Sequence, residues 1–162
     1  MEISRADREY VLVIHDIRSV YNVGALFRTA DAVGITKIIL SGYSPTPIDR
    51  FGRERSDFAK CALGAEKVIP WEYLETPYEK IQDLKKEGFK IVGLEQDNQS
   101  VDYKKVDKTD KMVFILGTET VGMKKDMLDL CDTIAEIPMQ GTKESLNVSV
   151  AAGILLYRVL DR

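Results

Sequence analysis

The sequence predicts an α/β domain in which a mostly parallel sheet is flanked by helices. The first observation is that short runs rich in valine and isoleucine alternate with amphipathic stretches along the chain. The second is that these runs are continuously apolar, as in strands that helices cover on both faces of a parallel sheet. The third is the length of 162 residues, which is typical of one domain. We therefore expect a single domain over residues 1–162.

The predicted strands and helices alternate in order along the chain. Strands are predicted over residues 10–15, 37–41, 67–69, 89–94, 112–116 and 133–137. Helices are predicted over residues 23–33, 124–130 and 145–160, with a further helix between Thr76 and Gly88. In that helix Thr76 and Glu79 form the pattern of a capping box with Pro77 at the first helical position, and Ile81 and Leu84 supply the buried stripe.

Cysteine and histidine usage excludes several classes of protein. The two cysteines, Cys61 and Cys131, show no C-x-x-C spacing, so a disulfide framework or a zinc finger is not expected. His15 is the only histidine, which excludes the usual zinc-hydrolase motifs, and a Ser-His-Asp hydrolase lacks its G-x-S-x-G elbow. We expect no bound metal. The charged start and the absence of a long apolar run predict a soluble, cytoplasmic protein with no membrane partner.

The longest irregular segment covers residues 42–56, and residues 50–60 form a positive island in an acidic chain of formal net charge −3. Because the chain as a whole gives no basic surface, any binding of nucleic acid must be local. The candidate contacts in this segment are Arg50, Arg53, Arg55 and Lys60, which outnumber Glu54 and Asp57. The alternative is an ordinary solvated loop followed by a short helix.

The last predicted helix, over residues 145–160, is apolar around more than one stripe. Two of its faces should therefore be buried. One face can pack on the sheet, and the second is most simply explained by a subunit interface in a homodimer. The alternative is a helix embedded deeply in the core of a monomer.

Asn22-Val-Gly-Ala-Leu-Phe-Arg28 follows the first predicted strand and opens a helix. Asn22 can cap this helix, and Gly24 allows another backbone or a ligand to approach closely. Asn22 and Arg28 lie about 240° apart on an ideal helix, so they converge only if Asn22 lies outside it. A capped helix with a solvent-exposed arginine explains the segment equally well.

Residues 114–124 form a strand, a glycine-bounded loop and the start of a helix, which is where open α/β sheets hold ligands. The segment has neither a dinucleotide fingerprint nor a P-loop, because Met123 stands where a P-loop has lysine. A carboxylate at Glu119 would repel phosphate and tolerate a positively charged ligand better. A simple strand-to-helix turn is the alternative.

Residues 137–151 lead from a strand through a glycine loop into the last helix. Ser145 is a candidate N-cap, and Asn147 lies in the first turn, where free backbone N–H groups point outward. Such residues are common at helix starts. The unusual feature is that Asn147 and Ser149 are polar in a very apolar helix, so they need hydrogen-bond partners if buried.

Taken together and in this order, the three segments resemble the SpoU branch, also called the TrmH family, of the SPOUT RNA methyltransferases. The matching motifs are Asn22-x-Gly-x-x-x-Arg28, Gly117-x-Glu119-x-x-Gly122, Ile137-Pro-Met139 and Ser145-Leu-Asn147-Val-Ser-Val-Ala. The resemblance extends from about Tyr10 to the C-terminus. It implies an α/β knot, in which the C-terminal part of the domain is tied into a deep trefoil knot, although knotted chains are rare.

The resemblance also implies the cofactor S-adenosyl-L-methionine, which carries a sulfonium and no phosphate. The implied cofactor-binding residues are Leu116, Gly117, Thr118, Glu119, Gly122, Ile137, Met139, Ser145, Leu146 and Asn147. The implied reaction is transfer of the sulfonium methyl to a ribose 2′-hydroxyl of RNA, which needs no metal. The family is dimeric through its first and last helices, and its active site draws residues from both subunits.

The catalytic residues that the resemblance implies are Asn22, Arg28, Glu119, Ser145 and Asn147. Arg28 corresponds to the proposed base of the family. A guanidinium with a pKa above about 12 is a poor base at neutral pH, so Arg28 could instead hold a phosphate and stabilise the developing alkoxide. Asn22, Ser145 and the other polar residues would orient the reacting groups.

The expected RNA contacts are Arg18, Arg28, Arg50, Arg53, Arg55 and Lys60. Transfer RNA is favoured over ribosomal RNA as the substrate. Two other functions stay open: a non-catalytic RNA-binding module that retains the knot, and an α/β enzyme acting on a small molecule, in which the basic loop is incidental. Salt-sensitive RNA binding would separate the small-molecule enzyme from the other two.

Overall fold

The structure, a computed structural model, describes residues 7–118 and 121–162. In this part of the chain seven strands form one sheet: β1 (Glu9–His15), β2 (Lys37–Ser41), β3 (Trp71–Leu74), β4 (Lys90–Leu94), β5 (Val101–Asp102), β6 (Lys111–Leu116) and β7 (Thr133–Glu136). The strand order is β3-β2-β1-β6-β4-β7-β5, and neighbouring strands run parallel. The prediction of an α/β domain with a parallel sheet is confirmed.

Helices cover both faces of this sheet, as its continuously apolar strands require. The helices are α1 (Val20–Val33), α2 (Ser56–Ala62), α3 (Ala65–Val68), α4 (Tyr78–Lys86), α5 (Lys125–Leu130) and α6 (Val148–Val159). Leu12 and Ile14 of β1 pack into the core beneath α1, α2, α3 and α6. Val11 and Val13 point the other way, toward α4 and α5. Side-chain alternation along each strand therefore supplies two separate cores.

The centre of the sheet brings the carboxyl ends of three strands together. Ile14 near the end of β1 is paired with Leu116 of β6, and Leu116 is paired in turn with Leu94 of β4. The strands on either side of this point are connected in opposite directions, which leaves a crevice where open α/β sheets bind ligands. The loop after β6 therefore starts at the centre of the carboxyl edge.

The predicted strand over residues 67–69 is wrong. Residues Ala65–Val68 form the short helix α3, and the third strand begins later, at Trp71. Ile69 is buried in the core, so its apolar character reflects packing rather than pairing in the sheet. A run as short as Lys67-Val68-Ile69, with two apolar residues, fits one helical turn as well as a strand, and the sequence pattern could not separate the two.

The predicted starts of three helices, α1, α6 and α4, are also wrong. Helix α1 begins at Val20 with Ser19 as its N-cap, and the Ser19 hydroxyl accepts a 3.1 Å hydrogen bond from the N–H of Asn22. Asn22 therefore lies inside the helix. Helix α6 begins at Val148, and its N-cap is Asn147 rather than Ser145.

In α4 the N-cap is Pro77 and makes no side-chain capping bond, so the predicted capping box at Thr76 does not form. The predicted buried stripe of Ile81 and Leu84 is confirmed. The predicted stop at Gly88 is confirmed too, because the helix ends at Lys86 and Gly88 adopts a left-handed φ of 95°.

Gly24 permits a close approach, but the approaching group is a helix of the same chain. A Cβ atom at Gly24 would lie 2.3 Å from the Cβ of Cys61 and 3.1 Å from the backbone nitrogen of Ala62. Helices α1 and α2 therefore pack backbone against backbone at this point, and Gly24 serves packing rather than a ligand.

Within the described residues, no helix has the length and apolar character needed to cross a membrane.

Candidate active site

A pocket of about 360 Å³ opens at the carboxyl edge of the sheet, on the face covered by α6. We call it the first pocket. Its lining comes from the ends of β4 and β6, from the loop after β7 and from the start of α6. The lining residues are Leu94, Glu95, Gln96, Leu116, Gly117, Thr118, Glu136, Ile137, Met139, Ser145, Leu146, Asn147, Val148 and Ala151.

The first pocket brings together most of the residues predicted to bind the cofactor. Those that line it are Leu116, Gly117, Thr118, Ile137, Met139, Ser145, Leu146 and Asn147. Gly122 does not line this pocket and contributes to a second one, described below. Glu119 lies outside the described residues. The predicted residues thus come from two distant segments, 116–118 and 137–147, and residues 94–96 complete the cavity.

The charge of the first pocket is negative. Its charged lining residues in the described chain are Glu95 and Glu136, and no lysine, arginine or histidine lines it. Such a lining attracts a cation and repels a phosphate. The remaining walls are largely aliphatic, which suits the apolar parts of an organic ligand. A sulfonium compound without phosphate therefore fits these residues.

Glu95 and Gln96 line the first pocket although sequence reasoning missed them. The Glu95 carboxylate accepts hydrogen bonds from the N–H groups of Met123, at 2.7 Å, and Gln96, at 2.9 Å. The Gln96 amide donates to the carbonyl of Glu144 at 2.8 Å. Both residues follow β4 directly, and a polar pair at the carboxyl end of a buried strand is a signal that could have identified them.

Asn147 connects the two helices that border the site. Its side-chain oxygen accepts the N–H of Ser149 at 2.9 Å, which caps α6, and its Nδ2 donates to Oδ1 of Asn22 at 3.1 Å. Asn22 is only 6% exposed. Asn147 is exposed and Ser149 is half-buried, so burial does not require partners for them, yet both are held by capping contacts, and Asn147 also bridges to α1.

Arg28 lies apart from the predicted catalytic residues Asn22, Ser145 and Asn147 of the same protomer. Asn22 is inside α1, so Arg28 is about 240° away around the helix, and it is exposed to solvent. Arg28 lines neither the first nor the second pocket. It shares an exposed stripe of α1 with Tyr21 and Ala32.

An apolar surface of α6 adjoins this stripe. Val150, Ile154 and Tyr157 are 51%, 37% and 43% exposed, on the side of the helix opposite its buried residues. Helices α1 and α6 cross closely where a Cβ atom at Gly153 would lie 3.8 Å from Thr29. The second apolar face that the sequence predicted for this helix is therefore uncovered in a single chain.

A second pocket, of about 430 Å³, opens on the opposite face of the sheet, toward α4 and α5. It shares Gly117 and Thr118 with the first pocket. Its lining residues are His15, Asp16, Arg18, Tyr43, Tyr78, Gly117, Thr118, Val121, Gly122, Met123 and Lys124. Aromatic and basic side chains thus replace the acidic and aliphatic lining of the first pocket.

His15 lies at the inner end of the second pocket. Its Nδ1 is 2.8 Å from the hydroxyl oxygen of Ser41, and its Nε2 is 3.3 Å from a carboxylate oxygen of Asp16. Burial lowers the pKa of His15 below 6.5 and nearby Lys124 lowers it further, while Asp16 and Asp126 oppose the shift. His15 is therefore neutral at pH 7.

The predicted RNA-contacting residues other than Arg28 make ion pairs with aspartates, stack on exposed aromatic rings, or are exposed to solvent. Arg53 pairs with Asp49 at 2.9 Å, and Arg55 pairs with Asp57 at 2.8 Å. Arg18 stacks on Tyr43 at 4.9 Å from the ring centre, whereas Arg50 and Arg53 both stack on Phe51, at 4.8 and 5.0 Å. Lys60 is exposed on α2. Stacked arginines on exposed aromatic rings present charge and a flat surface together.

Comparison with known proteins supplies the family. Residues 9–157 match the model of the SpoU rRNA Methylase family. The chain is 34% identical over 149 residues to the 23S rRNA (guanosine-2′-O-)-methyltransferase RlmB of Coxiella burnetii, covering 92% of this chain and 57% of that protein. It is 30% identical over 155 residues to the tRNA (guanosine(18)-2′-O)-methyltransferase of Aquifex aeolicus, covering 96% of this chain and 70% of that protein.

A solved structure gives the same picture. The AdoMet-bound rRNA methyltransferase from Sinorhizobium meliloti superposes with a TM-score of 0.82 at 28% identity, covering 93% of this chain and 55% of that one. The chain therefore spans little more than half the length of the Coxiella and Sinorhizobium proteins.

Proposed function

This chain belongs to the SpoU rRNA methylase family, and on that premise we propose that it methylates a ribose 2′-hydroxyl of RNA with S-adenosyl-L-methionine as the methyl donor. The observation that carries the proposal is the first pocket, where three distant segments form one acidic, aliphatic cavity. We propose that residues 1–162 act as one catalytic domain and that the protein works in the cytoplasm.

The residues of the first pocket suit this cofactor. Glu95 and Glu136 would attract its positive charge, and Leu116, Ile137 and Leu146 would contact its apolar parts. When bound, the cofactor supplies an electrophilic methyl group on sulfur. The protein then has to align that methyl group with the acceptor hydroxyl, and such positioning is worth roughly 7–11 kcal/mol.

Completion of the site requires a second copy of the chain. We propose a homodimer that buries the exposed stripe of α1 and the apolar surface of α6 (Val150, Ile154 and Tyr157). Arg28 lies on that stripe and lines neither pocket of its own protomer, so the dimer would deliver it to the partner's site. Family membership also supports a deep trefoil knot in the C-terminal part of the chain.

Arg28 would act on the acceptor nucleotide. Its guanidinium can hold a phosphate in a two-pronged contact and stabilise negative charge that develops on the 2′-oxygen. Its high pKa makes it a weak acceptor for the proton of the hydroxyl. Asn22, Ser145 and Asn147 would orient the RNA and the cofactor. The hydrogen bond between Asn147 and Asn22 would hold α6 and α1 in a fixed relative position.

Transfer RNA is our first choice of substrate and ribosomal RNA the second. The Aquifex relative is named for a transfer RNA and the Coxiella relative for 23S ribosomal RNA. Arg18, Arg50 and Lys60 would contact the phosphates, together with Arg53 and Arg55 when these exchange their aspartate partners for RNA. Binding should weaken as salt rises, because phosphate contacts release counterions.

The test is methyl transfer from radiolabelled S-adenosylmethionine to unmodified transfer RNA and ribosomal RNA in parallel, followed by nucleoside analysis. We expect label in a 2′-O-methyl nucleoside. Label on a base would contradict the proposed reaction. Cofactor binding without transfer to either RNA would favour the non-catalytic RNA-binding module instead.

A further inference from the structure

We propose that the second pocket binds an unstacked nucleobase of the substrate RNA, so that the substrate must present single-stranded nucleotides at this edge of the sheet. The inference rests on the proposed function, because it concerns how the same RNA is held. Four of the residues that it uses, Tyr43, Tyr78, His15 and Arg18, lie outside the three sequence segments, and Lys124 ends the second segment.

The second pocket lies where a single RNA chain could also reach the first pocket. Gly117 and Thr118 line both cavities, yet the cavities open on opposite faces of the sheet. A nucleotide chain that crosses the carboxyl edge can therefore place its ribose toward the first pocket and a base in the second. An intact duplex keeps its bases stacked and paired, and cannot enter a pocket of this kind.

The aromatic side chains supply stacking surfaces that are held in place. Tyr43 is 68% exposed, and its backbone N–H donates to Oδ1 of Asp16 at 2.9 Å. This turn requires Gly42, where φ is 60° and a Cβ atom would collide with the Asp16 carboxylate. Across the pocket, the Tyr78 hydroxyl donates to Asp126 at 3.0 Å. The backbone at Tyr43 and the ring of Tyr78 are thus held in place, which reduces the entropy lost when a base stacks there.

The charges of the second pocket favour a polyanion at its mouth. Its acidic groups already have partners: Asp16 accepts from Tyr43 and lies beside His15, and Asp126 accepts from Tyr78. Among the described residues, Arg18 and Lys124 form no ion pair, and both are exposed. The pocket floor is thus close to neutral while its rim is basic, which matches a base with its phosphate outside.

His15 fits this reading because its pKa is lowered and it stays uncharged at pH 7. The neutral imidazole packs edge-on against Tyr78, with ring centres 6.3 Å apart. It adds ring surface to the pocket wall without adding a buried charge that a neutral base would have to desolvate.

The experiment uses the full chain and a short single-stranded RNA that carries one 2-aminopurine, a base whose fluorescence is quenched on stacking. We expect quenching by the wild-type protein and binding about five- to 150-fold weaker in Tyr43→Ala, because base stacking on an aromatic side chain contributes that much. Tyr43→Phe should retain binding. The same RNA annealed to its complement should show no binding that depends on Tyr43.

A matched control is Val68→Ala, since Val68 is also 68% exposed but lies on α3, outside the pocket. Circular dichroism checks that each variant is folded. Wild-type quenching and affinity in Tyr43→Ala would overturn the inference, and so would equal binding of the duplex.

Methyl-transfer kinetics separate this inference from the proposed function. Tyr43→Ala should raise the KM for RNA and leave the KM for S-adenosylmethionine unchanged. If the protein methylates RNA and Tyr43→Ala leaves the KM for RNA unchanged, the inference of a base-binding pocket is refuted while the proposed reaction stands. Tyr43-dependent quenching in a protein that methylates nothing would refute the proposed reaction alone.

Discussion

The two pockets at the carboxyl edge of the sheet have opposite chemistry although they share Gly117 and Thr118. The first is acidic and aliphatic, and most of its lining belongs to the sequence motifs. The second is aromatic with a basic rim, and it joins residues of the segment 114–124 to side chains that follow β1 and β2 and begin α4. One edge of a sheet can therefore present an acidic cavity and a basic rim side by side, because different side chains line its two faces.

The largest expected effect concerns a residue that lines neither pocket. Arg28→Ala should lower the kcat of methyl transfer by about 100- to 1000-fold, the cost of losing a donor that stabilises charge in the transition state. The affinity for S-adenosylmethionine, measured by calorimetry, should stay close to the wild-type value. Lys86→Ala is the control, because Lys86 is an exposed cation at the far end of α4.

Mixed dimers test whether Arg28 acts across the interface. Chains carrying Arg28→Ala should regain activity when paired with chains whose first pocket is blocked by Met139→Lys, since one complete site then forms. Full activity of Arg28→Ala alone would remove this residue from the catalytic assignment.

The next effect concerns the packing of helix α1 against helix α2. Gly24→Ala should lower the free energy of unfolding by about 1–3 kcal/mol, because the added methyl overlaps with Cys61 and the backbone of α2. Chemical denaturation measures this change. Gly141→Ala is the matched control, since nothing lies within 4 Å of its Cβ position and it should differ little from wild type. Equal stabilities of the two variants would show that α1 and α2 can separate at little cost.

A smaller effect tests the charge of the first pocket. Glu136→Gln should weaken binding of S-adenosylmethionine by about threefold to tenfold, because it removes an attraction for the sulfonium. It should change binding of S-adenosylhomocysteine, which lacks the sulfonium charge, much less. Glu87→Gln, at the opposite end of the sheet, is the control. An equal loss for both ligands would mean that Glu136 acts by packing rather than by charge.

The smallest effect is the titration of His15 in the second pocket. As the chain has one histidine, its proton NMR signal can be followed without assignment, and we expect a pKa below 6.5. Asp16→Asn should lower this pKa further, because the Asp16 carboxylate favours the charged imidazole. The unfolded chain takes up the proton first as the pH falls, so the contribution of His15 to stability is complete above pH 6.5 and decreases below it. A pKa above 6.5 would contradict the burial of His15.

Much of the fold could be predicted from the sequence. The errors, at residues 67–69 and at the helix caps, arise where a short local pattern fits more than one structure. The long apolar strands β1, β4 and β6 were identified because continuous runs of this length have few alternatives. Residues 67–69 were misassigned because so short a run fits a helical turn equally well. The caps at Ser19 and Asn147 were missed because several nearby residues could serve, and only the path of the chain selects one.

The candidate site divides in the same way. Gly117, Ile137 and Leu146 were predicted as neighbours through a family resemblance, and the structure places them around one cavity. Glu95 is missed although its place directly after β4 could have identified it, whereas Tyr43 and Tyr78 stand at positions that no sequence pattern distinguishes. Arg28 stays a predicted catalytic residue, and the sequence pattern does not record that it lines neither pocket of its own chain.

The sequence by itself determined the class of the fold, the order of its strands and helices and the family of the protein. These depend on hydrophobic period and on residues close together along the chain, which a linear pattern records. The tertiary structure decided which loops meet, that Gly24 serves helix packing, and that two pockets of opposite character share one edge. Those facts depend on contacts between residues far apart in sequence, and local propensity carries no information about them.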